Sequence, residues 1–450
     1  MSLHLDRRRR PLASFVGILI WVAAARGQQP VRLGLDDCVR LALIHHPRIA
    51  LAESDIRIRE AILDQARAAR YRPQLDFSLL GGPVPSATGS PYDPSLRTDW
   101  SDFGAFARVE LAALQPLYTF GKLEGKADAA RSAVDAARFA REQALNEIRR
   151  DTERLYCGLL LARDARVIAA DAVDRIGKAR IKVRSDIETG GGPFTHIDLY
   201  RLDMVSGEAE ARAITLAATE ATLLSGLKAA IGFAQSDDVN VKDVTLGMPA
   251  RPQVDADSAA RDARLARPEL QQLRAGDQAM AGLVRSARAD AFPQFFAGGL
   301  LQYGFAPNRT DQRNPFVWDN YNFVRGGVAL GFRYSFNVAA TRAKVREVEG
   351  ERGRLLAQQR AALTSIEVQA RTAAQALDAA RQRTDVRTKS AALGRRWLMA
   401  AEADFSLGVG GTRDLVDAFQ AYFQSRVALL EAVHDEYIAQ AELDYARGVK

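Results

Sequence analysis

The chain has 450 residues, room for one large core or two ordinary ones; 47% are hydrophobic but only 8% aromatic, with Ala and Arg abundant. That composition suits long helices packed through small side chains better than an aromatic-rich globular core. The formal charge is +7, but five Arg and one Asp fall in residues 1–27; without that segment about +3 remains, which excludes a polybasic nucleic-acid binder.

Residues 1–27 read as a secretory signal peptide. Arg7–Arg10 form the positive region and Leu12–Ala25 the apolar run, and Ala23-Ala24-Ala25 or Ala25-Arg26-Gly27 offers a small-residue cleavage site. The apolar run is shorter than the ~20 residues a spanning helix needs, which favours a signal over an anchor. No later stretch reaches that length, so no helical membrane span is expected, while a membrane β-barrel with strands of ~9–11 residues stays open. Cys38 and Cys157 lack C-x-x-C spacing and a histidine cluster, so both are expected to be small packing residues rather than metal ligands or a disulfide.

Proline placement then divides the chain. Prolines cluster at 73–116, 249–268 and 293–315 and leave the intervening stretches free for long helices. Two strands are expected at about 74–82 and 103–118. Leu75, Phe77 and Leu79 alternate with Gln74, Asp76 and Ser78 in the first; Ala105, Ala107, Val109 and Leu111 oppose Arg108 and Glu110 in the second. Pro83–Trp100, with Tyr92, reads as the connecting loop. A helical hairpin should follow over 121–231. Ala127, Ala130, Val134, Ala137, Ala140, Ala144, Ile148, Thr152, Leu155 and Leu159 recur at steps of three and four, a coiled-coil seam with small knobs. Its first helix would be roughly 100 Å long at 1.5 Å per residue. Thr189-Gly190-Gly191-Gly192-Pro193 stops it, and Thr195 to Asp198 restarts the chain with a capping residue.

The second half runs through the same sequence of events. Strands are expected at about 294–304 and 326–336, the latter with Val328, Leu330, Phe332, Tyr334 and Phe336 on one face. A loop at Ala306–Phe323 carries the interfacial aromatics Trp318 and Tyr321. A second helical hairpin should cover 339–448, broken at Leu407-Gly408-Val409-Gly410-Gly411 and restarted by Thr412-Arg413-Asp414. His46-Pro47 matches Arg267-Pro268, Pro73-Gln74 matches Pro293-Gln294, Phe120 matches Phe336, and Asp198-Leu199 matches Asp414-Leu415, at an offset of about 216–221 residues. The chain therefore reads as a duplication, with repeats over 28–250 and 251–450.

The fold class follows: mainly α with a pair of membrane β-hairpins, a duplicated helix–β-hairpin–helix unit whose long coiled-coil hairpins form an α-barrel. Four strands cannot close a barrel, and an open edge in lipid leaves backbone groups unsatisfied. Three chains sharing one barrel would give twelve strands, inside the even-numbered range of such barrels. Helices this polar must project into water.

The arrangement resembles the TolC-like outer-membrane efflux proteins over nearly the whole chain after the signal. The likeness is carried by Leu35-Asp36-Asp37-Cys38-Val39 through Pro47, by Tyr71-Arg72-Pro73-Gln74-Leu75, and by Gln115-Pro116-Leu117-Tyr118-Thr119-Phe120-Gly121. Tyr156 with Leu159-Leu160, Leu227 to Gly232, and Gly411 to Ala418 add to it. The resemblance implies a homotrimer in outer-membrane lipid with a periplasmic tunnel. It would receive cargo through a periplasmic adaptor protein from an inner-membrane pump of RND, ABC or MFS type, in tripartite efflux or type I secretion. It also implies closure at the tunnel's far tip, with Arg413, Asp414 and Asp417 as gate candidates; Thr412 or Asp414 could equally serve as a helix cap. The tip turns, with Gly190, Gly192, Thr195, Asp198, Gly408, Gly411 and Thr412, would dock the adaptor, or serve only as turn chemistry. No phosphate-binding loop, cofactor motif or catalytic grouping stands out, so no enzyme and no cofactor are expected. The competing reading is a secreted or periplasmic coiled-coil scaffold without channel activity.

Overall fold

A computed structural model describes residues 31–89, 97–190, 194–311, 316 and 318–449; the expected signal segment and Tyr92 lie outside them. A short strand β1 (Val31–Leu33) leads into helices α1 (Leu35–His45) and α2 (Pro47–Tyr71), then strands β2 (Gln74–Thr88) and β3 (Arg97–Tyr118). The long helix α3 (Lys122–Thr189) and its return α4 (His196–Ile231) follow, and β4 (Val239–Val241) pairs in parallel with β1. The order then recurs: α5 (Ala256–Ala266), α6 (Pro268–Ala289), β5 (Gln294–Phe305), β6 (Phe323–Arg333), α7 (Val338–Ser406) and α8 (Thr412–Arg447). Proline opens both α2 and α6 at the first helical turn, where a missing N–H costs nothing.

α3 and α7 have 68 and 69 residues, roughly 100 Å each at 1.5 Å per residue. α3 packs against α4, α8, α6 and α2; α7 packs against α8, α6 and α5. Near the waist one cluster joins Ile148, Tyr156, Leu159 and Leu160 of α3 to Cys38, Ala42, Leu227, Ile231 and Val433. Burial pushes the Cys38 and Cys157 thiols up to about 12, which suits packing and not nucleophilic or metal chemistry. The predicted seam is largely the packed one: Ala127, Ala130, Val134, Ile148, Thr152 and Leu159 are buried, and Ala137, Ala140, Ala144 and Leu155 are half-buried.

Where α3 crosses α6, two glycines touch. A Cβ on Gly125 would sit 2.5 Å from the Gly282 carbonyl oxygen, and one on Gly282 would sit 2.6 Å from that of Gly125. The backbones can approach this closely only because neither residue has a side chain.

The four long strands form one antiparallel sheet in the order β2-β3-β5-β6. The strand limits differ from the sequence reading in two places. β2 and β3 run past the expected loop limits, since Ser86, Ala87 and Thr88 pair with Asp99, Thr98 and Arg97 beyond a bulge. Pro83 and Pro85 fall inside β2, which the chain leaves as an edge strand, the place where a missing N–H is tolerated. β6 spans Phe323–Arg333 and not 326–336: Arg333 pairs with Gln294, the first residue of β5, so Tyr334 and Phe336 have no ladder to join. Tyr321, in the loop, packs edge-on against Phe106 at 5.3 Å.

One 18-residue window of α4 reaches a mean hydropathy of 1.2, so α4 is long and apolar enough to cross a membrane by length and composition, contrary to expectation. Its packing along α3 instead places it in the helical bundle, with Ile197, Tyr200, Met204 and Ile214 exposed.

Candidate functional site at the helical tips

Both long helices stop at glycines with left-handed backbone, Gly190 (φ 68°) and Gly408 (φ 75°), a region L-residues with a Cβ avoid. The restarts differ. Before α4, the Asp198 carboxylate accepts the Thr195 amide at 2.9 Å and its hydroxyl at 2.8 Å, and Arg201 bonds the other oxygen at 3.3 Å. Before α8 the cap is Gly411, with no side-chain cap. Neither Thr412 nor Asp414 takes that role, contrary to one sequence reading. Thr412 lies just inside the helix, 2% exposed, and its hydroxyl has no hydrogen-bond partner within the protein. It therefore cannot present itself to a docking partner, unlike the exposed Gly190, Thr195, Gly408 and Gly411; Gly192 lies outside the described residues.

Arg413, Asp414 and Asp417 are all exposed on the first turns of α8, and no ion pair links any of them to another described residue. Arg413 and Asp417 share a helix face at the i, i+4 spacing, so the set offers one positive and two negative charges for a facing surface.

The tips are joined by groups the sequence reading missed. Lys182 of α3 donates to the carbonyl oxygens of Phe405 (3.0 Å) and Ser406 (2.8 Å) at the C-terminal end of α7. A cation there also meets the negative end of the helix dipole. Phe194, just before α4, stacks near Phe405 with centroids 5.0 Å apart. Arg175 bonds Glu402 at 2.9 Å and Asp171 at 3.0 Å; burial opposes its charge, but these bonds outweigh burial and hold the guanidinium above its usual range. Beneath these links Ile176, Val183, Leu202, Leu398, Leu415 and Phe419 form one apolar cluster. Lys182 and Phe405 are 223 residues apart, so no local pattern could have found the clip.

The fold is an open four-stranded sheet surmounting a bundle of long helices. Residues 38–191 match the family model described as outer membrane efflux protein. Among curated proteins no relative matches the chain. Solved channels share the whole fold. The CmeC outer membrane channel of Campylobacter jejuni aligns over 98% of this chain and 94% of its own, at 16% identity and a TM-score of 0.75. VceC of Vibrio cholerae aligns over 92% and 96%, at 16% identity and 0.74. The outer-membrane channel OprN aligns over 92% and 90%, at 17% identity and 0.76. The resemblance to the TolC-like outer-membrane efflux proteins thus holds, and the family and the matching structures describe channels, not enzymes.

Proposed function

We propose that three copies of this chain close one twelve-stranded barrel in the outer membrane, continued by a helical tunnel into the periplasm. The assembly is a passive exit duct of a tripartite efflux or type I secretion system. The observation that carries this reading is the sheet. Leu75, Phe77, Leu79, Val324, Val328, Leu330 and Phe332 are all exposed on one face, and the outer edges of β6 and of β2 before Ala87 pair with no other described strand. Lipid would cover that face, and joining β6 to the next copy's β2 would satisfy the edges, each open group otherwise costing several kcal/mol. A coiled-coil scaffold leaves both features unexplained.

On this reading residues 1–27 are the cleaved export signal and 28–250 and 251–450 are the two repeats. Arg413, Asp414 and Asp417 form the periplasmic gate by pairing across subunits. The exposed turns at Gly190, Thr195, Gly408 and Gly411, flanked by the exposed Leu407, Val409 and Ile197, dock a periplasmic adaptor that delivers cargo from an inner-membrane pump.

Two measurements on the purified, detergent-extracted protein test the duct: its oligomeric mass, and conductance in a planar bilayer. A trimer giving small, mostly closed openings supports it; a water-soluble monomer that never inserts refutes it. Val328→Arg places a charge in the middle of the apolar face, where arginine costs about 2–4 kcal/mol at the bilayer midplane. The amount of heat-resistant assembled protein in outer-membrane fractions should fall accordingly, whereas an undiminished yield would mean this face does not meet lipid. Asp417→Ala should raise single-channel conductance, and Lys182→Met, which frees the end of α7 from α3, should raise the open fraction. Unchanged closed states in both would remove the gate from this tip.

A further inference from the structure

The outer end of the sheet carries a basic cluster that conduction alone does not require. Strand register assigns every residue below the bulge to one of two faces, and Asp76, Arg108, Glu110, Arg325 and Arg333 all fall on the same one. With the opposite face in lipid, this face lines the bore.

Residues 306–311 and 318–322, between β5 and β6, fold back over that charged face. Asn308 donates to the Val84 carbonyl at 3.1 Å and to Ser86 Oγ at 2.9 Å. Its side chain fills the space over Gly104, where a Cβ would lie 2.1 Å from Asn308 Cγ. The Thr310 amide donates to the Ala87 carbonyl at 2.9 Å, and Arg108 Nη2 donates to the Asn320 carbonyl at 3.1 Å. Val84, Gly104, Phe106 and Arg108 all belong to the charged face.

Two guanidiniums, of Arg108 and Arg325, lie beside this segment, and a third, of Arg309, belongs to it. Arg325 lies over Phe323 at 3.8 Å and Trp318 at 4.4 Å; Arg108 lies over the same Phe323 at 5.5 Å; Arg309 lies over Tyr321 at 4.2 Å. All three are half-buried, and no ion pair joins any of them to a described carboxylate. Glu110, two residues along β3 from Arg108, takes a hydrogen bond from Gln302 at 2.5 Å instead. Aromatic faces attract and orient the cations without cancelling their charge, and arginine does not deprotonate.

We propose that Arg108, Arg309 and Arg325 form an anion-favouring selectivity element at the outer mouth, acting on small solutes that carry carboxylate or phosphate. Rings of arginine select anions in other pores by the same electrostatics. The proposal rests on the shared-barrel reading, under which three copies bring nine guanidiniums to one opening. Its sign is opposite to that of the two carboxylates offered by each α8 tip.

The test is the reversal potential of the full-length protein in planar bilayers across a KCl gradient, for the unmutated chain and for Arg108→Gln, Arg325→Gln, their combination, and Arg325→Lys. The combined variant should lower the anion-to-cation permeability ratio by about twofold or more, a modest part of the tenfold or larger counter-ion enrichment that charged clefts achieve. Arg325→Lys, which keeps the charge, should retain the ratio. An unchanged ratio in the combined variant, or an equal fall in Arg325→Lys and Arg325→Gln, would overturn the proposal, the latter by making the rings mere packing for the loop. If the combined variant does not insert, inorganic phosphate added at the outer side of the unmutated channel decides: it should reduce the KCl current, and no reduction refutes the element. An unmutated protein that forms no channel refutes the shared barrel instead.

Discussion

Replacing Arg251 with alanine is expected to cost about 1–3 kcal/mol of stability, because it strips a solvent-reaching partner from a buried carboxylate. Arg251 sits on the segment that joins the two halves and reaches α8 and α7 together. Its Nε and Nη2 donate to the two carboxylate oxygens of Glu436 at 2.7 and 2.8 Å, and Nη1 donates to Asp385 at 2.8 Å. These bonds hold the guanidinium well above its usual pKa. Glu436 is 1% exposed, and among the described residues its only other cation, Arg381, stands 3.9 Å away. Without Arg251 a carboxylate remains in the interior with a distant partner. Loss of helical circular dichroism on heating reads the effect. The pair Arg251→Met with Glu436→Gln should recover most of the loss, because the buried carboxylate is then replaced by a neutral amide. A single variant as stable as the parent would show that the carboxylate is hydrated or neutral in the folded protein.

Gly125→Ala should also destabilise, although helix propensity alone predicts the reverse. Alanine gains up to ~1 kcal/mol over glycine inside a helix. At this crossing the new methyl would stand 2.5 Å from the Gly282 carbonyl oxygen and 2.9 Å from the Ser286 amide nitrogen, both backbone atoms that cannot turn aside. Overpacking of that kind costs typically ~1–3 kcal/mol, so the steric effect wins and α3 and α6 must separate. Gly350→Ala is the control: on α7 a Cβ there meets nothing within 4 Å, and the propensity gain should appear undiminished. Thermal unfolding of the two variants side by side should move in opposite directions; a shared rise would mean the crossing is looser than its geometry implies.

Much of the architecture was legible because it is written in local chemistry. The breaks at Gly190 and Gly408, the proline starts of α2 and α6, and the period-two faces of β2, β3 and β5 each depend on residues a few positions apart. Misplaced limits had non-local causes. β6 stops at Arg333 because β5 begins at Gln294, and β2 continues through Pro83 and Pro85 because no other described strand lies along its outer edge there. At the tips, the exposed charges Arg413, Asp414 and Asp417 were visible in sequence, but the burial of Thr412 was not, since it depends on how α8 meets its neighbours.

By itself the sequence determined a chain of two similar halves, each with a hairpin of amphipathic strands and a pair of long helices, because helix periodicity, strand alternation and turn residues act over at most a few positions. Only the tertiary structure decided which ends are tied together. It set Lys182 on the end of α7, Arg251 between α7 and α8, Gly125 against Gly282, and Asn308 of the β5–β6 segment over the charged face of the sheet. Each of these joins residues more than a hundred positions apart, or a loop to a strand face, and is fixed by helix crossings and strand register that no single segment encodes.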